Sequence, residues 1–222
     1  MNLKYDAIVF DFDGVLVESV NLKTQAFAEL YLEYGQDIVD KVVKYHLQNG
    51  GVSRFLKFKY FHEVLLGKQI TDEELNKLSD KFTKIALEAI VKAEWVKGAD
   101  DFLNEFQGKI PMFVASGTPD GELKEIIKQR DMEKYFVSVH GTPTKKGTII
   151  NAIIKEYGFD RNRVLMVGDA LADLEGATEA NVNFLGRVAG ETEDIFPSHV
   201  TSKVRDLTSL SNFVINTEMI VS

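Results

Sequence analysis

The stretch Ala7-Ile8-Val9-Phe10-Asp11-Phe12-Asp13-Gly14 decides how this chain is read. Its first four residues are apolar in succession, the pattern of a short strand buried on both faces of a parallel sheet. The run gives way to two carboxylates with one residue between them. In open α/β sheets, ligands bind in the crevice at the carboxyl ends of the strands. Asp11 and Asp13 therefore stand where chemistry is expected. Carboxylates this close repel each other unless a cation or a shared proton intervenes.

Working outward, strands and helices alternate from about Trp95 onward, as a parallel sheet requires. Met112 to Ala115 reads as a strand. Thr118 follows as an N-cap, with Pro119 at the first helical position of a helix running from Glu122 to Gln129. Tyr135 to Val139 reads as the next strand, and Lys146 to Tyr157 as a helix stopped by Gly158. Val164 to Val167 is a strand ending in Gly168-Asp169. Leu171 to Ala180 is a helix, and Val182 to Leu185 a further strand.

From about Glu18 to Glu94 the pattern is helical. Leu22, Ala26, Leu30 and Tyr34 recur at helical spacing. Thr71-Asp72-Glu73-Glu74 forms a capping box, followed by Leu75, Leu78, Phe82, Ile85 and Ala89 on one face. Between them, Gly50 to His62 mixes aromatic and basic residues, read as an aromatic stripe toward a core with a solvated basic face. Trp95 is expected to pack where the chain returns from this segment. The expected fold is α/β: a doubly wound, Rossmann-like parallel-sheet core of residues 1–17 and 95–222. A helical cap, residues 18–94, is inserted after the first strand and faces the core across the strands' carboxyl edge.

Composition narrows the function. The 222 residues are 45% hydrophobic and 27% charged, ordinary for a globular protein. The net charge of -8 argues against general affinity for nucleic acid or anionic membranes. Cysteine is absent, which excludes disulfides, thiolate metal sites and a cysteine nucleophile. No apolar run approaches the roughly 20 residues of a membrane span. The N-terminus leads into the first strand without a signal-peptide core, so a cytoplasmic location is expected. The pattern carries no signal for oligomeric state. No P-loop and no metalloprotease His-Glu-x-x-His is present. His46, His62, His140 and His199 lack metal-ligand spacing and read as structural or surface residues, with His62 a minor substrate-contact candidate.

Four polar features fall at strand ends: Asp11 with Asp13, Ser116-Gly117, Thr142 to Lys146, and Asp169 with Asp173. Each alone has a bland reading as a turn or cap, and their shared placement raises the weight. Asp11, Asp13 and Asp169 together invite a hard divalent cation such as Mg²⁺. A helix N-terminus after Ser116 and a nearby lysine would favour an anion. Together they make a phosphate cradle, in which a carboxylate serves as nucleophile or base.

With that ordered set of motifs the chain resembles the haloacid dehalogenase superfamily, in the branch with a helical cap after the first strand. The resemblance spans nearly the whole length. It implies a Mg²⁺-dependent phosphatase acting on a small phosphorylated metabolite. Asp11 would attack phosphorus to form an aspartyl-phosphate. Asp13 would protonate the leaving oxygen and then deprotonate the hydrolytic water. The cation would be held by the Asp11 carboxylate, the Asp13 backbone carbonyl and Asp169. Ser116, with Gly117, would bind the phosphoryl group, and Asp173 would orient the lysine or a metal-bound water. The lysine is Lys145 or Lys146, with Lys146 favoured by the Lys-Gly pattern ahead of the helix. Ala170 departs from the serine of many relatives.

Three alternatives stand beside this. Gly51-Val52-Ser53-Arg54 resembles the cap of β-phosphoglucomutase-like phosphosugar mutases, with Arg54 gripping the substrate's phosphate or forming a surface salt bridge. Phosphonate-cleaving relatives require a Schiff-base lysine in the cap, where Lys44, Lys57 and Lys59 are available and none is singled out. A non-enzymatic phospho-acceptor module is disfavoured by the cap and by Asp13.

Overall fold

The computed structural model describes residues 2–190 and 193–216. In chain order, β1 (Ala7–Phe10) is followed by helices α1 (Val20–Leu30), α2 (Gln36–Gln48), α3 (Arg54–Tyr60) and α4 (Asp72–Lys92). Then come α5 (Ala99–Phe106), β2 (Met112–Pro119), α6 (Asp120–Gln129), β3 (Ser138–Thr142) and α7 (Lys146–Tyr157). The chain ends with β4 (Val164–Gly168), α8 (Leu171–Ala180), β5 (Asn183–Arg187), β6 (Lys203–Val204) and α9 (Leu210–Val214).

The strands form one parallel sheet in the order β3-β2-β1-β4-β5-β6. All of β1 is fully buried, and its side chains alternate between two apolar layers. Ile8 and Phe10 pack with α5, α6 and α9 on one face. Ala7 and Val9 pack with the Ile149, Ile150, Ile153 and Ile154 ridge of α7 and with α8 on the other. This is the Rossmann-like, doubly wound α/β architecture. Strand order reverses at β1 and β4, so the ends of these two strands define the ligand crevice.

Two elements depart from expectation. β2 runs on to Pro119, and Pro119 itself, not Thr118, precedes the first residue of α6. The proline ring disfavours helical geometry at the residue before it. Thr118 is accordingly extended, and its hydroxyl is free to bond across the crevice. The strand expected over Tyr135–Val139 lies instead at Ser138–Thr142, with Tyr135 closing a 3₁₀ turn at Glu133–Tyr135. The apolar run Tyr135-Phe136-Val137 carries the strand signal, but the residues in register with Phe113–Ala115 are Ser138–His140. The helix α5, the strand β6 and the helix α9 were not anticipated. The helices Lys146–Tyr157, with Gly158 at φ 71°, and Leu171–Ala180 agree with expectation.

Helices α1 to α4 lie between β1 and β2 and gather their own aromatic core around Phe27, which meets the rings of Phe58, Phe61 and Phe82. The Thr71 capping box at the start of α4 is formed in both directions. The chain enters and leaves this helical segment side by side. Val17 bridges Trp95, with Glu18 N–H donating to Glu94 at 3.0 Å and Val96 N–H to Leu16 at 3.0 Å. Arg130, just beyond α6, donates to the carbonyls of Ile90, Val91 and Ala93 at the end of α4 and lies over the Trp95 ring.

Candidate active site

Phe12 is fully buried in the core, and this anchors the loop after β1 so that the carboxylates on either side of it meet at the crevice. Asp11 continues the parallel ladder, its N–H donating to Val167 at 2.9 Å. Gly14 follows at φ 74°, and a Cβ there would stand 2.0 Å from Asp169 Oδ2. Only glycine allows the β1 loop and the end of β4 to come this close.

Asp11 is 2% exposed, and its Oδ1 accepts from Phe12 N–H at 2.8 Å and faces Lys146 Nζ at 3.0 Å. Burial pushes the Asp11 carboxyl up to about 7, against the pull of Lys146. Asp169 is raised well above the carboxylate range by burial first and then by Asp11 and Asp173. Asp173 is fully buried near the start of α8; its Oδ2 accepts from the N–H groups of Asp169 and Ala170 at 3.2 and 3.0 Å, and its Oδ1 binds Lys146. Lys146 is thereby held between Asp11 and Asp173, and although burial opposes its charge, the two carboxylates keep its ionisation above the usual lysine value. Lys145 is exposed at the cap of α7, so Lys146 is the lysine that reaches the cluster.

Asp13 turns the other way, toward α1 and β2. It accepts from Ser19 Oγ at 2.6 Å, Lys23 Nζ at 2.5 Å and Thr118 Oγ1 at 2.9 Å, with Ser116 Oγ at 3.5 Å. Burial alone would raise its pKa, but Lys23 and the hydroxyls prevail and lower it. The chain's own groups thus favour ionised Asp13 and hold Asp11 near half-ionisation at neutral pH, so a cation beside Asp11 would be needed to keep it fully ionised.

Carboxylate oxygens of Asp11, Asp169 and Asp173 all lie within 4.8 Å of one another. Two buried carboxylates and the half-buried Asp169 against the ammonium of Lys146, two of the three pushed toward neutrality, suit a hard divalent cation. Because Asp173 is already committed to Lys146 and two backbone N–H groups, Asp11 and Asp169 are the side chains left to hold it.

Ser116 is buried and accepts from Thr118 N–H at 3.1 Å. A Cβ on Gly117 would come within 2.3 Å of Gly51 O, and one on Gly51 within 3.3 Å of Lys146 Nζ, so the loop between α2 and α3 lies directly over the core residues. Beneath it is a cavity of about 570 Å³ lined by Asp11, Asp13, Asp169 and Thr118 from the strand edge and by His46 and Lys57 from the helical segment.

The expected solvated basic face is corrected for Arg54 and Lys57, while Lys59 is exposed as expected. Arg54 and Lys57 are 4% and 3% exposed. Arg54 is not a surface residue gripping an open site. Its Nη1 donates to Glu122 at 2.8 Å and to Thr83 at 3.0 Å, its Nη2 pairs with the same Glu122 carboxylate, and it stacks over Phe82. His46, read as merely structural, lines the cavity and meets Lys57. His62 packs against Tyr31 and Tyr34 instead. Lys23, Thr118 and Glu122 were missed as site residues, and Lys57 was one of three cap lysines with none singled out. Thr118 had a signal, since in a strand it shares a side with Ser116. The other three depend on how helices dock.

This arrangement defines a Rossmann-like α/β protein whose carboxylates and lysine meet at the reversal point of a parallel sheet. The sequence profile of the haloacid dehalogenase-like hydrolases matches residues 5–181, and the chain belongs to that family. It is 23% identical over 194 residues to a phosphorylated carbohydrates phosphatase of Thermotoga maritima, covering 85% of this chain and 88% of that one. A solved predicted phosphoglycolate phosphatase of Haemophilus somnus superposes with a TM-score of 0.73 at 15% identity, over 95% of this chain and 98% of that one. A magnesium-bound hydrolase of the same type from Bacillus subtilis, described with interdomain movement, superposes with a TM-score of 0.69 at 16% identity, over 94% and 98%. Among the described residues, no helix is long and apolar enough to cross a membrane.

Proposed function

We propose that this enzyme is a Mg²⁺-dependent phosphatase that hydrolyses a small phosphorylated metabolite through an aspartyl-phosphate on Asp11. The observation that carries the reading is the convergence of Asp11, Asp169, Asp173 and Lys146 at the β1–β4 edge, with Asp13 on the facing side of the same crevice. Phosphatase-named relatives and the magnesium-bound neighbour support it. Residues 1–17 and 95–222 are the catalytic core in this reading, and residues 18–94 the cap that closes over a substrate of metabolite size. The reading keeps the enzyme in the cytoplasm, away from nucleic acid and membranes, which its net charge of -8 supports.

Asp11 attacks phosphorus while the bond to the leaving oxygen breaks, and that oxygen takes a proton from Asp13. Water then attacks the aspartyl-phosphate, Asp13 takes the water's proton, and inorganic phosphate leaves with Asp11 regenerated. Lys146 offsets charge on Asp11 and the phosphoryl oxygens, Asp173 orients Lys146, and Ser116 with Gly117 receives a phosphoryl oxygen. Asp11, Asp169 and the Asp13 backbone carbonyl would hold Mg²⁺, which would supply positive charge that keeps Asp11 ionised and offsets the charge of the phosphoryl group. Lys23 favours the carboxylate form of Asp13, the form that the second half-reaction needs, so Asp13 must take up a proton before the first half-reaction can deliver one to the leaving oxygen.

The phosphosugar-mutase alternative is not favoured, since the guanidinium it relied on is paired with Glu122. The test is hydrolysis of p-nitrophenyl phosphate with Mg²⁺. Asp11→Asn should lose about a thousandfold or more of the rate. Retention of activity in that variant would remove Asp11 as nucleophile.

A further inference from the structure

The cavity's cations are nearly all matched. Lys23 pairs with Asp13, Arg54 with Glu122 and Arg187 with Glu18, while Lys146 at the strand edge holds Asp11 and Asp173. Lys57 differs. It lines the cavity from α3 and is 3% exposed, yet among the described residues it makes no ion pair. Its one close polar contact is His46 Nδ1 at 2.9 Å.

That contact is directional. Burial first, and Lys57 next, push the His46 ring down to about 2, so the ring is neutral; with Lys57 as an ammonium its Nδ1 is the acceptor and Nε2, which has no partner among the described residues, carries the proton. The ring is itself wedged against Phe27, centroids 4.7 Å apart, and Lys57 Nζ lies 5.7 Å from the centre of the same Phe27 ring. His46 and Phe27 therefore aim the lysine without neutralising it. An ammonium in such a place is costly unless an anion joins it. Burial, and then Lys23, lower its ionisation to about 7. The strand edge supplies carboxylates for the cation, whereas the cap side of the cavity presents an amine that no carboxylate matches and that an incoming anion would hold protonated.

We propose that Lys57, positioned by His46, forms a second anion subsite, and that the preferred substrate is a phosphomonoester whose leaving group carries a further anionic group, a carboxylate or a second phosphate. This rests on the phosphatase reading above. Arg54 cannot serve instead, because Glu122 and Thr83 already occupy its guanidinium. A cavity of about 570 Å³ has room for a leaving group of a few carbons between Lys57 and the strand edge.

The experiment compares ester pairs that differ by one anionic group. Phosphoglycolate is set against its amide, and a hexose 1,6-bisphosphate against the hexose 6-phosphate, with the full chain and Mg²⁺. The wild type should prefer the ester with the extra anion by about tenfold or more in kcat/KM, mostly through KM. Lys57→Met should reduce that preference about tenfold, and Lys57→Arg should restore part of it. The carboxylate and bisphosphate arms show which anion the subsite takes. Melting temperature checks the fold, and Lys57→Met should not lower it, because a buried unmatched charge is removed.

Binding of the same ester pairs to Asp11→Asn, by calorimetry, separates the two readings. If no ester is hydrolysed but binding still discriminates through Lys57, the phosphatase reading fails and the subsite stands. If esters are hydrolysed with a preference indifferent to Lys57→Met, the subsite fails and the phosphatase reading stands. Borohydride trapping of an aldehyde-bearing phosphonate on Lys57 would overturn the subsite in favour of a covalent amine role.

Discussion

Lys145 and Lys146 are adjacent and chemically identical, yet only one meets the carboxylates. Lys145 precedes α7 and is exposed, while Lys146 opens the helix and turns inward to Asp11 and Asp173. Lys146→Met should lower kcat by about a hundredfold or more, because it removes a charge that acts on the transferring group and leaves Asp173 buried without its partner. Lys145→Met should stay within about twofold. Comparable losses in both, measured as phosphate release under saturating Mg²⁺, would refute the assignment. The doublet was ambiguous in the sequence because the choice turns on a helix starting one residue earlier or later. Asp11, Asp13, Asp169 and Asp173 were legible because each follows a strand that an apolar run announces. Lys23 and Lys57 were not, because one sequence does not state which way a cap helix presents its basic residues to a neighbour. Aromatic and basic residues interleave from Phe55 to His62, and helical periodicity alone left the basic ones facing solvent.

Among the ion pairs that join the helices of residues 18–94 to the sheet, the one between Arg54 and Glu122 is the most buried. It links α3, and through Thr83 α4, to α6. With Arg54 4% and Glu122 8% exposed, removal of one partner strands the other charge away from water. Arg54→Met should therefore destabilise the fold by about 3 kcal/mol in urea unfolding, whereas Arg54→Met combined with Glu122→Leu should recover most of that loss. A single-variant cost below about 1 kcal/mol would mean that the pair is solvated for much of the time. Core elements such as α7 and α8 could be read to the residue, since glycine, proline and strand punctuation set their ends. β3 slipped by three residues because its most apolar stretch precedes the residues that pair with β2. The docking of α3 on α6 has no counterpart in local pattern, since it joins residues 68 apart in sequence.

For the whole molecule, stability and metal binding are linked through the same buried groups. Asp11 is raised to about 7 and Asp169 upward, so between an ordinary carboxylate value and about 7 the folded chain keeps protons that the unfolded chain releases. Their contribution is fully present below pH ~4 and is lost as pH rises through that window. Lys57 is depressed to about 7, so between pH ~7 and ~10 the unfolded chain keeps a proton that the folded chain has given up, and its contribution rises with pH. His46, depressed to about 2, opposes the acid limb by one proton up to the ordinary histidine value, and the remaining balance of these groups places a trough in stability near neutrality. A divalent cation binds ionised Asp11 and Asp169, competes with their protons and fills the acidic side of the trough. Mg²⁺ should therefore raise the melting temperature more at pH 7.5 than at pH 5. In Asp169→Asn both the Mg²⁺ increment and its pH dependence should shrink, because one of the two carboxylates left to hold the cation is gone. Melting scans at the two pH values, with Mg²⁺ and with chelator, read this directly. An increment equal at both pH values in the wild type would mean that the cation binds somewhere other than the carboxylates that end β1 and β4.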